Sequence, residues 1–210
     1  MRMAVSLDGF TAGPEQSVKN PLGVRGMDLM QWVFPLKVWR EQMGMKGGET
    51  NESSQVLEDA TAGIGATVMG RNMFGGHPGP WDAGKPWNGW WGENPPYHHP
   101  VFVLTHHRRE PLKRQGGTTF FFVTDGIESA LDQARKAAGG KDITLAGGAN
   151  ACQQYLKAGL VDEMWLHISP VLLGRGERLF DGVDDLKGLR LERTVAAPTV
   201  THLKFAHRSN

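Results

Sequence analysis

Three short stretches combine residue types that can hold an anion. In each, an apolar run gives way to a loop, which is where ligands lie at the carboxyl ends of strands in open α/β sheets. The first is Val68-Met69-Gly70-Arg71-Asn72. Gly70 permits close approach of a backbone, and Arg71 offers a planar fork of donors to a phosphate. The second is Val103-Leu104-Thr105-His106-His107-Arg108, which ends in a hydroxyl, two imidazoles and a guanidinium and suits a dianionic phosphomonoester. The third is Leu145-Ala146-Gly147-Gly148-Ala149-Asn150. There, two glycines before a helix let its free N–H groups and positive dipole end meet a diphosphate. Each stretch taken singly is also compatible with a turn or a solvated loop.

Other chemistries are excluded by spacing. Gly79-Pro80-Trp81-Asp82-Ala83-Gly84-Lys85 follows a P-loop for most of its length, but Pro86 stands where Ser or Thr would ligate magnesium. No G-x-G-x-x-G fingerprint is present, so a Rossmann domain is not expected. His77, His98, His99, His106 and His107 form no spaced ligand set, because adjacent residues on a strand point to opposite faces, and no metal is expected. Cys152 reads as a packed small side chain. Asp8 is the best-placed acid for a proton or a substrate hydrogen bond, and equally a turn former before Gly9.

The elements that would position these residues alternate between strand and helix. Val5–Leu7, Ala66–Met69, Val101–Thr105, Thr118–Thr124, Ile143–Leu145 and Val161–Val171 read as strands, the continuously apolar ones as buried on both faces. Trp32, Leu36, Trp39 and Met43 recur at helical spacing within Leu29–Gly44, with Pro35 at a first turn or kink. A helix over Ser53–Ala62 would be capped by Asn51 or Ser53. Another would start from a capping box at Asp125 and bury Ile127, Leu131, Ala134 and Ala138. A third would follow Gly148 and bury Cys152, Tyr155 and Leu156. Leu189–Val195 and Val200–His207 predict an antiparallel pair. This is the pattern of a layered α/β domain.

The 210 residues suffice for a single domain spanning 1–210. The formal net charge of +1 gives no reason to expect nucleic acid or an anionic membrane as partner. No apolar run is long enough to span a bilayer, and one cysteine makes no internal disulfide, so a cytoplasmic protein is expected.

The order of Ser6-Leu7-Asp8-Gly9, Met69-Gly70-Arg71, Val101–Thr105, Gly147-Gly148 with Tyr155-Leu156, Val161-Asp162-Glu163 and Pro170–Phe180 resembles the dihydrofolate reductase-like superfamily. It is most similar to the C-terminal reductase domain of the bifunctional riboflavin-biosynthesis deaminase–reductase. The resemblance covers nearly the whole chain apart from an insertion at about 26–50 and a tryptophan-rich loop at about 81–100. It implies a three-layer fold: a mostly parallel central sheet, flanking helices and a C-terminal antiparallel hairpin. It also implies NADPH as hydride donor. Gly70 and Arg71 would lie at the cofactor phosphates, and Thr105, His106 and Arg108 at the ribose 2′-phosphate. Gly147, Gly148, Ala149 and Asn150 would hold the diphosphate, with Ser6 and Asp8 by the nicotinamide. Trp81, Trp87, Trp90 and Trp91 would wall a pocket for a heterocyclic or carbonyl substrate, or else pack on the core or on a partner.

The implied activity is that of an NADPH-dependent reductase of the 5-amino-6-(5-phosphoribosylamino)uracil reductase type, working as a homodimer. Two departures bear on the substrate. Dihydrofolate reductases carry an acid on the helix before Met-Gly-Arg, where the nearest acids here are Glu52, Glu58 and Asp59 and the register falls on Ser54. Riboflavin-pathway reductases place a glutamate before the Gly-Gly turn, where Ala146 stands. Dihydrofolate or pterin reduction, and NADPH binding without turnover, are the alternatives.

Overall fold

The computed structural model describes residues 1–207. In chain order its strands are β1 (Arg2–Ser6), β2 (Phe10–Ala12), β3 (Ile64–Gly70), β4 (Pro100–Leu104), β5 (Leu112–Lys113), β6 (Thr119–Val123), β7 (Asp142–Leu145), β8 (Glu163–Ser169), β9 (Glu177–Arg178), β10 (Arg190–Ala197) and β11 (Val200–Ala206). Its helices are α1 (Lys37–Gln42), α2 (Glu52–Thr61), α3 (Arg71–Phe74), α4 (Gly126–Ala138) and α5 (Ala149–Lys157). The chain divides into two compact units. The first takes Met1–Gln16, Leu22–Ala62 and the chain from Cys152 onward, and the second takes Ser17–Pro21 and Gly63–Ala151. The fold is the mixed α/β architecture expected, with a largely parallel five-stranded sheet in the second unit and a C-terminal antiparallel hairpin, β10–β11, in the first.

The first unit carries a sheet in the order β1-β8-β11-β10, with β1 parallel to β8 and the other pairs antiparallel. β8 is central, and Met164, Trp165, Leu166 and His167 are buried in succession because both of its faces are covered. β10 is an edge strand and is exposed along most of its length, with charges at Arg190, Glu192 and Arg193 that discourage pairing with another chain. α2 begins with a capping box. The Asn51 side chain accepts from the Ser53 amide, and Ser54 Oγ accepts from the Asn51 amide. Two histidines are buried on neighbouring strands of this sheet. His167 Nδ1 and His202 Nδ1 are 2.8 Å apart, His202 Nε2 lies 2.9 Å from Ser53 Oγ, and the Trp32 ring packs on both imidazoles.

The helix predicted over Leu29–Gly44 is shorter in the structure. A 3-10 turn covers Gly26–Met30 and α1 starts only after Pro35. Proline has no N–H to donate, and the chain there bonds sideways: Lys37 N donates to Glu49 O, and Glu49 N to Pro35 O. Trp32 and Leu36 are buried accordingly, whereas Trp39 and Met43 are not.

The second unit carries a sheet in the order β5-β6-β4-β3-β7, in which β6, β4, β3 and β7 are parallel and β5 is antiparallel. α4 packs on β3 and β4 through Ala130, Ala134 and Ala138, whose small side chains allow close approach. Ile127 and Leu131 flank that stripe, half-buried. The capping box expected at Asp125 is not made, because the carboxylate accepts from the Thr124 hydroxyl at 3.2 Å instead. Among the described residues, no helix is long and apolar enough to cross a membrane.

Candidate cofactor-binding site

In the second unit, the parallel strands β3, β4 and β7 bring the three anion-type stretches to one edge of the sheet. Gly70 N donates to Gly147 O at 2.7 Å, and Ala146 N to Val68 O at 2.9 Å, so the ends of β3 and β7 are tied together. Gly70 has an ordinary extended backbone, φ −80°. What it needs is room, since a Cβ there would lie 3.3 Å from the Ala151 Cβ. Gly147 is different: its φ of +101° is one that residues with side chains rarely adopt, and the Gly147–Gly148 peptide is cis. A Cβ on Gly148 would meet nothing within 4 Å, so this turn faces open space. Ala149 and Asn150 follow as the first residues of α5, one buried and the other exposed.

Arg71 opens α3 and is half-buried. Its guanidinium lies 3.7 Å from the centroid of the Trp81 ring, and Nη2 donates to His77 O at 2.9 Å. Its Nε is buried with no partner, and no ion pair engages it among the described residues. Desolvation, and next the nearby Arg109, lower its pKa. At the end of β4, Thr105 is buried, and its Oγ1 accepts from the His107 amide at 3.2 Å. His106 and Arg108 are exposed on the loop beyond. Arg109, which the sequence reading did not select, is the residue that turns inward. Its Nη1 donates to Trp87 O and its Nη2 to Asn88 Oδ1, and the guanidinium lies 4.9 Å over both Trp81 and Phe122.

The tryptophan-rich loop packs on the second unit's own core of Met69, Phe74, Val101, Val103 and Phe120. The Trp87 N–H donates to Phe74 O at 2.8 Å, the Trp90 N–H to Met73 O at 3.1 Å, and Trp91 stacks on Phe120. From the sequence these three would either wall a substrate pocket or pack on the core or on a partner. In the structure Trp87 and Trp91 pack on this aromatic core, and the Trp87 and Trp90 N–H groups each gain a backbone acceptor. Trp81 packs on the same core and also faces Arg71 and Arg109.

Ser6 and Asp8 belong to the first unit. Ser6 Oγ donates to Asp8 Oδ1 at 2.6 Å, Leu173 N donates to the same oxygen at 3.1 Å, and Gly174 N to Oδ2 at 2.7 Å. The Ser6 hydroxyl first, and then the Gly174 and Leu173 amides, pull the carboxyl down to about 2. Asp8 is therefore an anion at neutral pH, and its geometry holds the 173–174 segment as an acceptor; it carries no proton to give. Cys152 is buried, and burial pushes its thiol up to about 12, so it is no thiolate nucleophile. On α2 the buried residues are Ser53, Ser54 and Val56, while Glu52, Glu58 and Asp59 face outward.

The family model of the RibD C-terminal domain matches residues 1–203. The chain belongs to this family. Among solved structures, this RibD C-terminal domain chain is similar to a putative riboflavin biosynthesis protein from Shewanella sp. PV-4 (20% identity, 99% of this chain and 97% of that one, TM-score 0.60). It is similar also to a diaminohydroxyphosphoribosylaminopyrimidine deaminase/5-amino-6-(5-phosphoribosylamino)uracil reductase from Thermotoga maritima (12% identity, TM-score 0.56). The match takes in 99% of this chain but 55% of that longer protein. A dihydrofolate reductase from Enterococcus faecalis, complexed with NADP(H) and RAB-propyl, shares the fold at 14% identity over 100% of this chain and 95% of that one, TM-score 0.53. A segment of 73 residues, 35% of this chain and 38% of its counterpart, is 40% identical to the uncharacterized protein YyaP of Bacillus subtilis (strain 168).

Proposed function

We propose that this RibD C-terminal domain protein is an NADPH-dependent reductase of the 5-amino-6-(5-phosphoribosylamino)uracil reductase type, acting on a planar heterocycle or a carbonyl or imine compound. The observation that carries this reading is the edge of the five-stranded sheet. A glycine cradle closed by the Gly70–Gly147 hydrogen bond lies there with Arg71, whose guanidinium has no acidic partner among the described residues. Such an edge fits a dinucleotide's phosphates: backbone N–H groups at the start of α5 and a fixed guanidinium both favour negative charge. NADPH, when bound, supplies the hydride. The chain's residues bind and orient it: Gly70, Gly147, Gly148, Ala149 and Asn150 at the diphosphate, and Arg71, Thr105, His106 and Arg108 at the remaining phosphate. Titration calorimetry with both cofactors tests the reading. NADPH binding tighter than NADH is expected, and equal affinities would remove the assignment.

Binding without turnover is the second reading. Its support is that Asp8 is held as an anion and that α2 buries no acid. NADPH oxidation assayed against pterins, pyrimidines, flavins and quinones separates the two readings, since sustained oxidation with any of them excludes mere binding. A homodimer belongs to the leading reading on new grounds. The tryptophans that suggested an interface are taken up within the second unit, but Leu7, Val24, Met27 and Leu172 of the first unit are exposed apolar residues. A monomer by light scattering at micromolar concentration excludes it.

A further inference from the structure

Two guanidinium groups converge on the ring of Trp81. Arg71 Cζ lies 3.7 Å from its centroid and Arg109 Cζ 4.9 Å. Each is also fixed at its rim, Arg71 by the His77 carbonyl and Arg109 by the Trp87 carbonyl and the Asn88 side chain. The indole N–H in turn donates to His107 O at 2.9 Å, which ties the loop after β4 to the loop after β3. Neither guanidinium has a carboxylate partner among the described residues. Bringing two cations together in a half-buried place is unfavourable in itself. The electron-rich ring face offsets part of that cost, and a dianion would offset the rest. Packing on the core does not by itself require this arrangement, because Trp87 and Trp91 pack on the same core as Trp81 and, among the described residues, carry no stacked cation.

We propose that Trp81 is a positioning residue that holds Arg71 and Arg109 as one doubly charged surface for a dianionic phosphomonoester, and so sets the preference for a 2′-phosphorylated cofactor. This rests on reading the site as an NADPH site. It adds Arg109 to the phosphate contacts and makes a ring, not a carboxylate, the group that aims the cations. A carboxylate would compete with the ligand for them by charge; a ring face takes up none of their N–H groups and cancels none of their charge.

The test compares affinities for NADPH and NADH in the parent, Trp81→Phe, Trp81→Leu and Arg109→Gln, with thermal melting to confirm the fold and 2′,5′-ADP as a probe of the phosphate subsite alone. Trp81→Leu and Arg109→Gln should each lower the NADPH-over-NADH ratio about tenfold and weaken 2′,5′-ADP in parallel. Trp81→Phe, which keeps a ring face and loses the N–H, should lower it less. If Trp81→Leu does not fold, Trp81→Phe and Arg109→Gln decide. Variants that weaken both cofactors equally, or leave the ratio unchanged, overturn the inference while the NADPH reading stands. A parent with no preference for NADPH overturns both.

Discussion

Arg71 and Asp8 are charged residues with opposite situations, and each makes its own prediction. Arg71 is half-buried, stacked on Trp81 and without an acid. On the proposed NADPH reading, its removal deletes a charge-assisted contact worth about 1.5–3 kcal/mol toward a phosphate, while the fold loses one cation–π contact and the hydrogen bond to the His77 carbonyl and sheds a buried N–H that has no partner. Arg71→Ala should therefore weaken NADPH about 10- to 150-fold with little change in melting temperature. Calorimetry and a thermal melt check the two halves. Asp8 already has its partners. Its carboxyl is held at about 2, below the ordinary value, so its contribution to stability is present above the unfolded-state pKa and is lost as pH falls toward 2. Asp8→Asn keeps one acceptor oxygen and loses the other. The expected outcome is faster amide hydrogen exchange at Leu173 and Gly174 with exchange elsewhere unchanged. Slow exchange at both would mean that the segment does not depend on the carboxylate. At this scale the candidate residues Gly70, Arg71, Gly147 and Gly148 were legible in the sequence because glycine and arginine at a strand end are local signals. Arg109 was not, since choosing between it and its neighbour Arg108 depends on which way the loop after β4 turns, and only the tertiary fold decides that.

Among the elements, β8 and β11 form a pair whose register places His167 opposite His202. The two Nδ1 atoms share one hydrogen bond, so one must donate and the other accept, and both rings cannot be imidazolium. Burial first, and then neighbouring charge from His202 and Arg2, depress His167 well below 6.5. Burial, followed by Arg193, brings His202 to about 4. The folded pKa values lie below the unfolded ones, so the unfolded chain binds more protons. Stability is complete above about 6.5 and falls as pH drops from there toward 4, on the order of 3 kcal/mol for His202. Urea midpoints measured from pH 7 to pH 4 should decline over that window, and His202→Gln should flatten the decline while lowering stability at pH 7. A flat profile in the parent would contradict this. No sequence pattern announced the pair, because the two histidines lie on strands that only the sheet topology makes neighbours. The parallel core strands and the capped helix α2 were legible, since apolar runs and an Asn-x-Ser-Ser start are local. The stretch over Leu29–Gly44 was misread for the converse reason: its helical spacing is real, but Pro35 and a sideways pairing with Glu49 prevail over it.

At the scale of the molecule, family membership and fold do not by themselves confer dihydrofolate reduction. That reaction needs a proton together with the hydride, and the buried residues of α2 include no carboxylate to deliver one. General acid assistance supplies about 10²–10⁴ in rate, so dihydrofolate turnover under saturating NADPH should fall well short of the usual range of about 1–10³ s⁻¹. A rate inside that range would call for single substitutions of Glu52, Glu58, Asp59 and Asp8 to find the acid. The division of the chain has a consequence for how the protein is made. The second unit is almost one continuous stretch, Gly63–Ala151, whereas the first needs both ends of the chain, since Arg2 of β1 pairs with Trp165 of β8. A chain leaving the ribosome amino end first must keep β1 waiting unpaired while the whole second unit emerges. The glycine cradle and Arg71 can therefore be in place before the first unit's sheet has its middle strands. A dinucleotide that binds this edge would stabilise the half-made protein by mass action, acting on the nascent chain as a folding partner.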